Sequence, residues 1–100
     1  MIQLSNPLFR LGQTVATPGA IEAMQKAGQS PWEFLSQHCQ GRWGIVNDED
    51  KALIGAAVKD GSRLLSAYTL NTGVKIWVIT EATDDQGQRA ATTILLPEEY

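Results

Sequence analysis

Hydrophobic positions change period partway along the chain. Up to about residue 60 they recur at helical spacing, and beyond it they alternate. Ala20, Ile21, Met24 and Ala27 share one helical face behind Thr17-Pro18, a capping hydroxyl followed by proline at the first helical position, and Gly28 is placed to end the helix. A second helix opens two residues later. Ser30, Pro31 and Glu33 have the spacing of a capping box, Trp32, Leu35 and Cys39 share a face with Phe34 and His38 at its margin, and Gly41 offers the stop. Asn47 or Asp48 caps a third helix reaching about Lys59, with Leu53, Ala56 and Ala57 as a packing stripe, Ile54 and Val58 extending it, and Gly61 after it.

The last third reads as three strands: Arg63 to Asn71, Val74 to Ala82 and Arg89 to Pro97. Asn71-Thr72-Gly73 supplies the first turn and Asp84-Asp85-Gln86-Gly87 the second. In the middle strand Ile76 and Val78 alternate with Trp77 and Ile79, so it should lie centrally with cover on both faces. The opening segment, with Leu4, Leu8, Phe9, Leu11 and Val15 around Pro7 and Gly12, is irregular, and Leu11 to Ala16 is a candidate short strand. The expected fold class is α+β. Two to three N-terminal helices pack on one face of a three-stranded antiparallel C-terminal meander, with the candidate N-terminal strand as an addition.

One hundred residues with 43% hydrophobic content fit a single domain, residues 1–100, with its own core. Short apolar runs and a start lacking a basic region argue against a signal peptide or membrane span, and point to the cytoplasm. Cys39 is the single cysteine, so no internal disulfide or cysteine metal framework is expected. The net charge is −3, and the eight basic residues are spread along the chain with no basic run. That pattern disfavours nucleic acid as a partner, although folding could still gather a few cations.

Three constellations suggest chemistry, and each has a plainer structural explanation. The helix, short turn and second helix around Gly28 resemble a helix-turn-helix, but the second helix carries Trp32, Glu33 and Phe34 near its start and no cation before Arg42. His38-Cys39 brings a thiol and an imidazole together in sequence, yet neighbouring helical residues diverge by about 100°. Helices followed by a meander also resemble the RelE-like ribonucleases, for which Arg63, Tyr68, Lys75, Arg89 and Tyr100 could be enlisted; such toxins are strongly basic, unlike this chain. No catalytic, cofactor-binding or metal-binding residues follow from these patterns. The better candidates are for partner binding: Arg42 and Trp43 in a glycine-flanked connection where the ring would be accessible, and Glu98, Glu99 and Tyr100 at the end.

Leu11 to Ala20, Gly28 to Pro31, Gly41-Arg42-Trp43-Gly44, Leu65 to Tyr68, Ile76 to Ala82 and Ala91 to Tyr100 together resemble a family of short bacterial proteins described as plasmid-related or hypothetical. Some members carry a label borrowed from a type I restriction-modification methylation subunit. This chain has neither the length nor the glycine-rich strand-to-helix fingerprint of a methyltransferase. The segment Asp84 to Gln88 is longer than that family's usual turn. The resemblance implies a setting on mobile or accessory DNA and transfers no catalytic residues. The expected function is a non-enzymatic accessory protein acting through an unknown protein partner or self-association, with Trp43 and a sheet edge as the contact. The alternative is a nucleic-acid-directed protein, either a RelE-like small ribonuclease or a helix-turn-helix DNA binder.

Overall fold

A computed structural model of the chain describes residues 7–100, so Leu4 of the opening apolar pattern lies outside the described residues. The elements run β1 (Gln13–Ala16), α1 (Pro18–Ala27), α2 (Pro31–Cys39), α3 (Asp48–Asp60), β2 (Leu64–Thr69), β3 (Lys75–Thr80), β4 (Ala91–Leu95) and a closing 3₁₀ turn, Pro97–Glu99. The α+β class stands, with a more specific architecture than an antiparallel meander. The strands form one mixed sheet in the order β1-β4-β3-β2, in which β2, β3 and β4 pair antiparallel and β1 pairs parallel to β4. The parallel pair arises because the chain leaves β1, traverses all three helices and re-enters the sheet at β2 running the same way; the two reversals that follow leave β4 in that same direction beside β1.

Each helix is opened by a side-chain cap. Thr17 Oγ1 accepts from the Ala20 amide at 3.2 Å and Asn47 Oδ1 from the Asp50 amide at 2.7 Å. Such caps typically stabilise by about 1 kcal/mol. The start of α2 departs from the expected capping box. Ser30 Oγ accepts from Trp32, one residue short of the third amide, and the Glu33 carboxylate turns outward to the Gln29 side-chain amide at 2.8 Å.

Helices cover one sheet face, to which β2 contributes Leu64, Ser66 and Tyr68, β3 contributes Ile76, Val78 and Thr80, and β4 contributes Thr92 and Ile94, all buried. Two apolar clusters result. The larger joins α1, α2 and the sheet through Met24, Phe34, Leu35, Ile76 and Val78, and the smaller holds Trp43, Ile54, Ala57 and Leu64; Phe9 packs against both. On the other sheet face Tyr100 closes over Trp77, ring centroids 5.6 Å apart.

Two helical faces are rotated from expectation. In α2 the core takes Phe34, Leu35, His38 and Cys39 while Trp32 is left 41% exposed, and in α3 Ile54 and Ala57 are buried while Leu53 points to solvent. Trp43, expected to be accessible, is buried as well. Its carbonyl accepts from the Ala67 amide at 3.0 Å and the Ile45 amide donates to Ala67 at 2.8 Å, an added bridge along the outer edge of β2 that turns the ring inward. Gly44 makes the approach possible. Its φ is +81°, and a Cβ there would lie 1.8 Å from the Ala67 oxygen.

Candidate functional site

Three places combine polar chemistry or exposed apolar surface in ways that could serve function. The first is a buried hydrogen-bonded chain. His38 on α2 meets Ser66 Oγ through Nδ1 at 2.5 Å and Thr80 Oγ1 through Nε2 at 2.9 Å, Thr80 meets Thr92 Oγ1 at 2.7 Å, and Thr92 donates to the Leu11 carbonyl at 2.7 Å. The carbonyl end fixes the direction of every proton. Thr92 spends its single hydrogen on Leu11, so it accepts from Thr80; Thr80 in turn accepts from Nε2–H, leaving Nδ1 to accept from the Ser66 hydroxyl.

A serine donating to an imidazole is the start of a nucleophile-base pair. Here the far nitrogen donates to a hydroxyl, and no carboxylate orients the ring. His38, Ser66, Thr80 and Thr92 have no exposed surface, so no substrate reaches them. Burial, helped by the Arg89 cation, pushes the imidazole down to about 3, which keeps it neutral. The neighbouring Cys39 donates to the Ser36 carbonyl at 3.5 Å and its thiol is pushed upward by burial, so the two residues serve separate local bonds.

The second place is a cleft of about 770 Å³ between the segment before β1, the end of α3 and the turn before β4. Arg10, Lys59, Asp60 and Arg89 line it, with Phe9 and Val58 as apolar wall. Arg89 is 8% exposed, and its guanidinium donates to the carbonyls of Ala57, Ser62 and Glu81 at 2.7–3.1 Å. It thereby ties the carboxyl end of α3 to the sheet. Its carbon Cζ lies 5.8 Å from the Phe9 ring centroid.

The third place is the β1 edge. Gln13 and Thr17 direct their amides to the carbonyls of Ala90 and Ile94, both at 3.0 Å. Strand alternation therefore aims the main-chain groups of Thr14 and Ala16 away from β4, and no described strand pairs with them. Two apolar hollows, of about 320 and 210 Å³, flank Trp32 along this edge; Phe9, Leu11 and Thr14 line the larger, and Val15, Leu35 and Ile94 the smaller.

The residues singled out from sequence are dispersed. Arg42 is exposed, with its carbonyl accepting from the buried Tyr68 hydroxyl at 2.6 Å, and Trp43 is core. Glu99 and Tyr100 fold back on the chain: Glu99 Oε1 accepts from Thr17 Oγ1 at 2.5 Å and from the Leu96 amide at 2.8 Å, and the Tyr100 hydroxyl accepts from Arg63 at 2.6 Å. Glu98 stays exposed. Of the residues enlisted for a ribonuclease, Arg63 and Tyr100 meet, whereas Tyr68 and Arg89 bond to backbone carbonyls. The buried chain, the cationic cleft and the Trp32 edge were all missed. The hydroxyls alone had a usable signal, since Ser66, Thr80 and Thr92 fall in phase with the core-facing strand positions.

The fold and its surfaces define a small α+β protein with a mixed four-stranded sheet and one unpaired edge among the described residues. The chain matches no family model, and no curated protein or solved structure is detectably similar to it. None of its described helices is long and apolar enough to cross a membrane, and no described group of histidine, cysteine, aspartate and glutamate side chains could hold a metal ion.

Proposed function

We propose that this chain is a non-enzymatic accessory protein of bacterial mobile or plasmid DNA that acts by binding an extended segment of a partner protein along β1. The observation that carries the reading is the contrast between the two sheet edges. The outer edge of β2 is bridged by Trp43 and Ile45, while the outer edge of β1 has no described partner and lies beside the half-exposed Trp32. Outward main-chain groups at Thr14 and Ala16 suit a strand that adds to the sheet, and the hollows beside Trp32 suit apolar side chains at alternate positions of that strand. The genetic setting rests on the sequence resemblance alone.

Peptide display against the full chain tests this. Enriched peptides should alternate apolar residues and perturb the amide signals of Thr14 to Ala16 and the Trp32 indole. Thr14→Pro removes an outward amide while sparing the ladder to β4, and should weaken those peptides at least tenfold, as should Trp32→Ser. Peptides that bind both variants as well as the parent, or a failure to enrich any, would overturn the proposal. A salt-sensitive retardation of DNA or RNA would favour the nucleic-acid alternative, and a mass rising with concentration would favour self-association.

A further inference from the structure

Three of the eight basic residues, separated by tens of positions in sequence, converge on one cleft of an otherwise acidic molecule. We infer that the cleft between Arg10, Lys59 and Arg89 binds the phosphate group of a small phosphorylated molecule. The cleft is framed by fixed backbone. The Thr83 amide donates to the Gly61 carbonyl at 2.8 Å and the Gln13 amide to the Ala90 carbonyl at 3.0 Å, so its three walls are mutually braced. At Gly12 a Cβ would lie 2.4 Å from the Arg89 oxygen, so the first wall approaches the third as only glycine allows.

The local charge favours an anion. Asp60 is the one carboxylate in the lining, and it already accepts from the Ser62 amide at 2.8 Å. The carboxyl end of α3 adds roughly half a negative charge, which leaves about +1.5 from the three cations. That helix end is also largely spent, because Ala57 O accepts from both Arg89 and the Gly61 amide. Arg89 uses three of its five N–H groups on carbonyls, and Arg10 and Lys59 form no ion pair among the described residues. A cleft of about 770 Å³ exceeds the needs of a bare phosphate ion, so the bound molecule carries an organic portion against Phe9 and Val58.

Titration of the labelled full chain with inorganic phosphate and with ribose 5-phosphate, each against sodium chloride at matched ionic strength, tests the inference by amide shifts. Both probes should give saturable shifts centred on Lys59 to Gly61 and Gly87 to Arg89, with ribose 5-phosphate at least fivefold tighter. The exposed double variant Arg10→Gln/Lys59→Gln, folded by its unchanged amide dispersion, should weaken both at least tenfold. Shifts that follow ionic strength alone, or equal affinity in the double variant, overturn the site.

Discussion

The Phe9 ring touches both His38, 5.2 Å away edge to face, and Arg89, whose Cζ lies 5.8 Å from the ring centroid. Both are polar residues buried beyond nine-tenths, yet they are stabilised in opposite ways. His38 is neutral, and its partners are hydroxyls in a chain that ends at Leu11 O. Arg89 keeps its charge, and its partners are carbonyls at the rim of an open cleft. The difference teaches what each can do. A neutral, fully satisfied chain without solvent access specifies how α2 sits on the sheet, whereas a cation with donors to spare beside a cavity can also meet a ligand.

The largest effect that would sharpen this contrast is expected at His38. Replacing it by alanine leaves a cavity and takes the ring nitrogens from both Ser66 and Thr80, Thr80 keeping only its bond to Thr92, so the loss should be about 3–5 kcal/mol in urea unfolding at pH 7. A loss below about 1 kcal/mol would mean that the hydroxyls re-pair among themselves, and the chain would then be dispensable.

Arg89→Met should cost less, about 2 kcal/mol by the same measurement, although it deletes a charge and three hydrogen bonds. Methionine retains the apolar stem against Phe9, Ala57 O keeps the Gly61 amide, and water entering from the cleft can satisfy the carbonyls of Ser62 and Glu81. If Arg89→Met proves more destabilising than His38→Ala, water from the cleft does not replace the guanidinium and the contrast between sealed chain and open cleft fails.

Much of the fold was legible because its signals are local. Thr17, Asn47, Gly28 and Gly61 sit where the capping pattern placed them, and the hairpin at Gly73 closes with the Leu70 amide donating to the Val74 carbonyl at 2.8 Å. Helix faces were less legible, since α2 is apolar on more than one side and only the sheet selects which side is buried. The clearest error concerns Trp43. Flanking glycines suggested an accessible ring, whereas Gly44 is there so that the backbone can approach Ala67 and turn that ring inward. The sites were least legible because Arg10, Lys59 and Arg89, like His38 and Ser66, meet only through tertiary structure.

Mild acid provides the finest test, because, of these two buried groups, it protonates His38 alone. The His38 pKa is lowered in the fold, first by burial and then by the Arg89 charge, from 6.5 to about 3. An unfolded chain therefore takes up a proton at this residue before the folded one does. Stability is complete well above pH 6.5 and is lost as pH falls from about 6.5 towards 3. Between pH 6.5 and 5 the loss should be roughly 1.5–2 kcal/mol, following the 1.36 kcal/mol that accompanies each unit. That window lies above the Asp60 and Glu99 carboxylates, both held below their usual range, the first chiefly by the Ser62 hydrogen bonds and the second chiefly by Thr17. His38→Gln, which has no charge to gain, should flatten the slope across the same window, while Arg89→Met should retain most of it because burial is the larger cause. An unchanged slope in His38→Gln would show that the imidazole is not the group being protonated, and the neutral description of the sealed chain would fail.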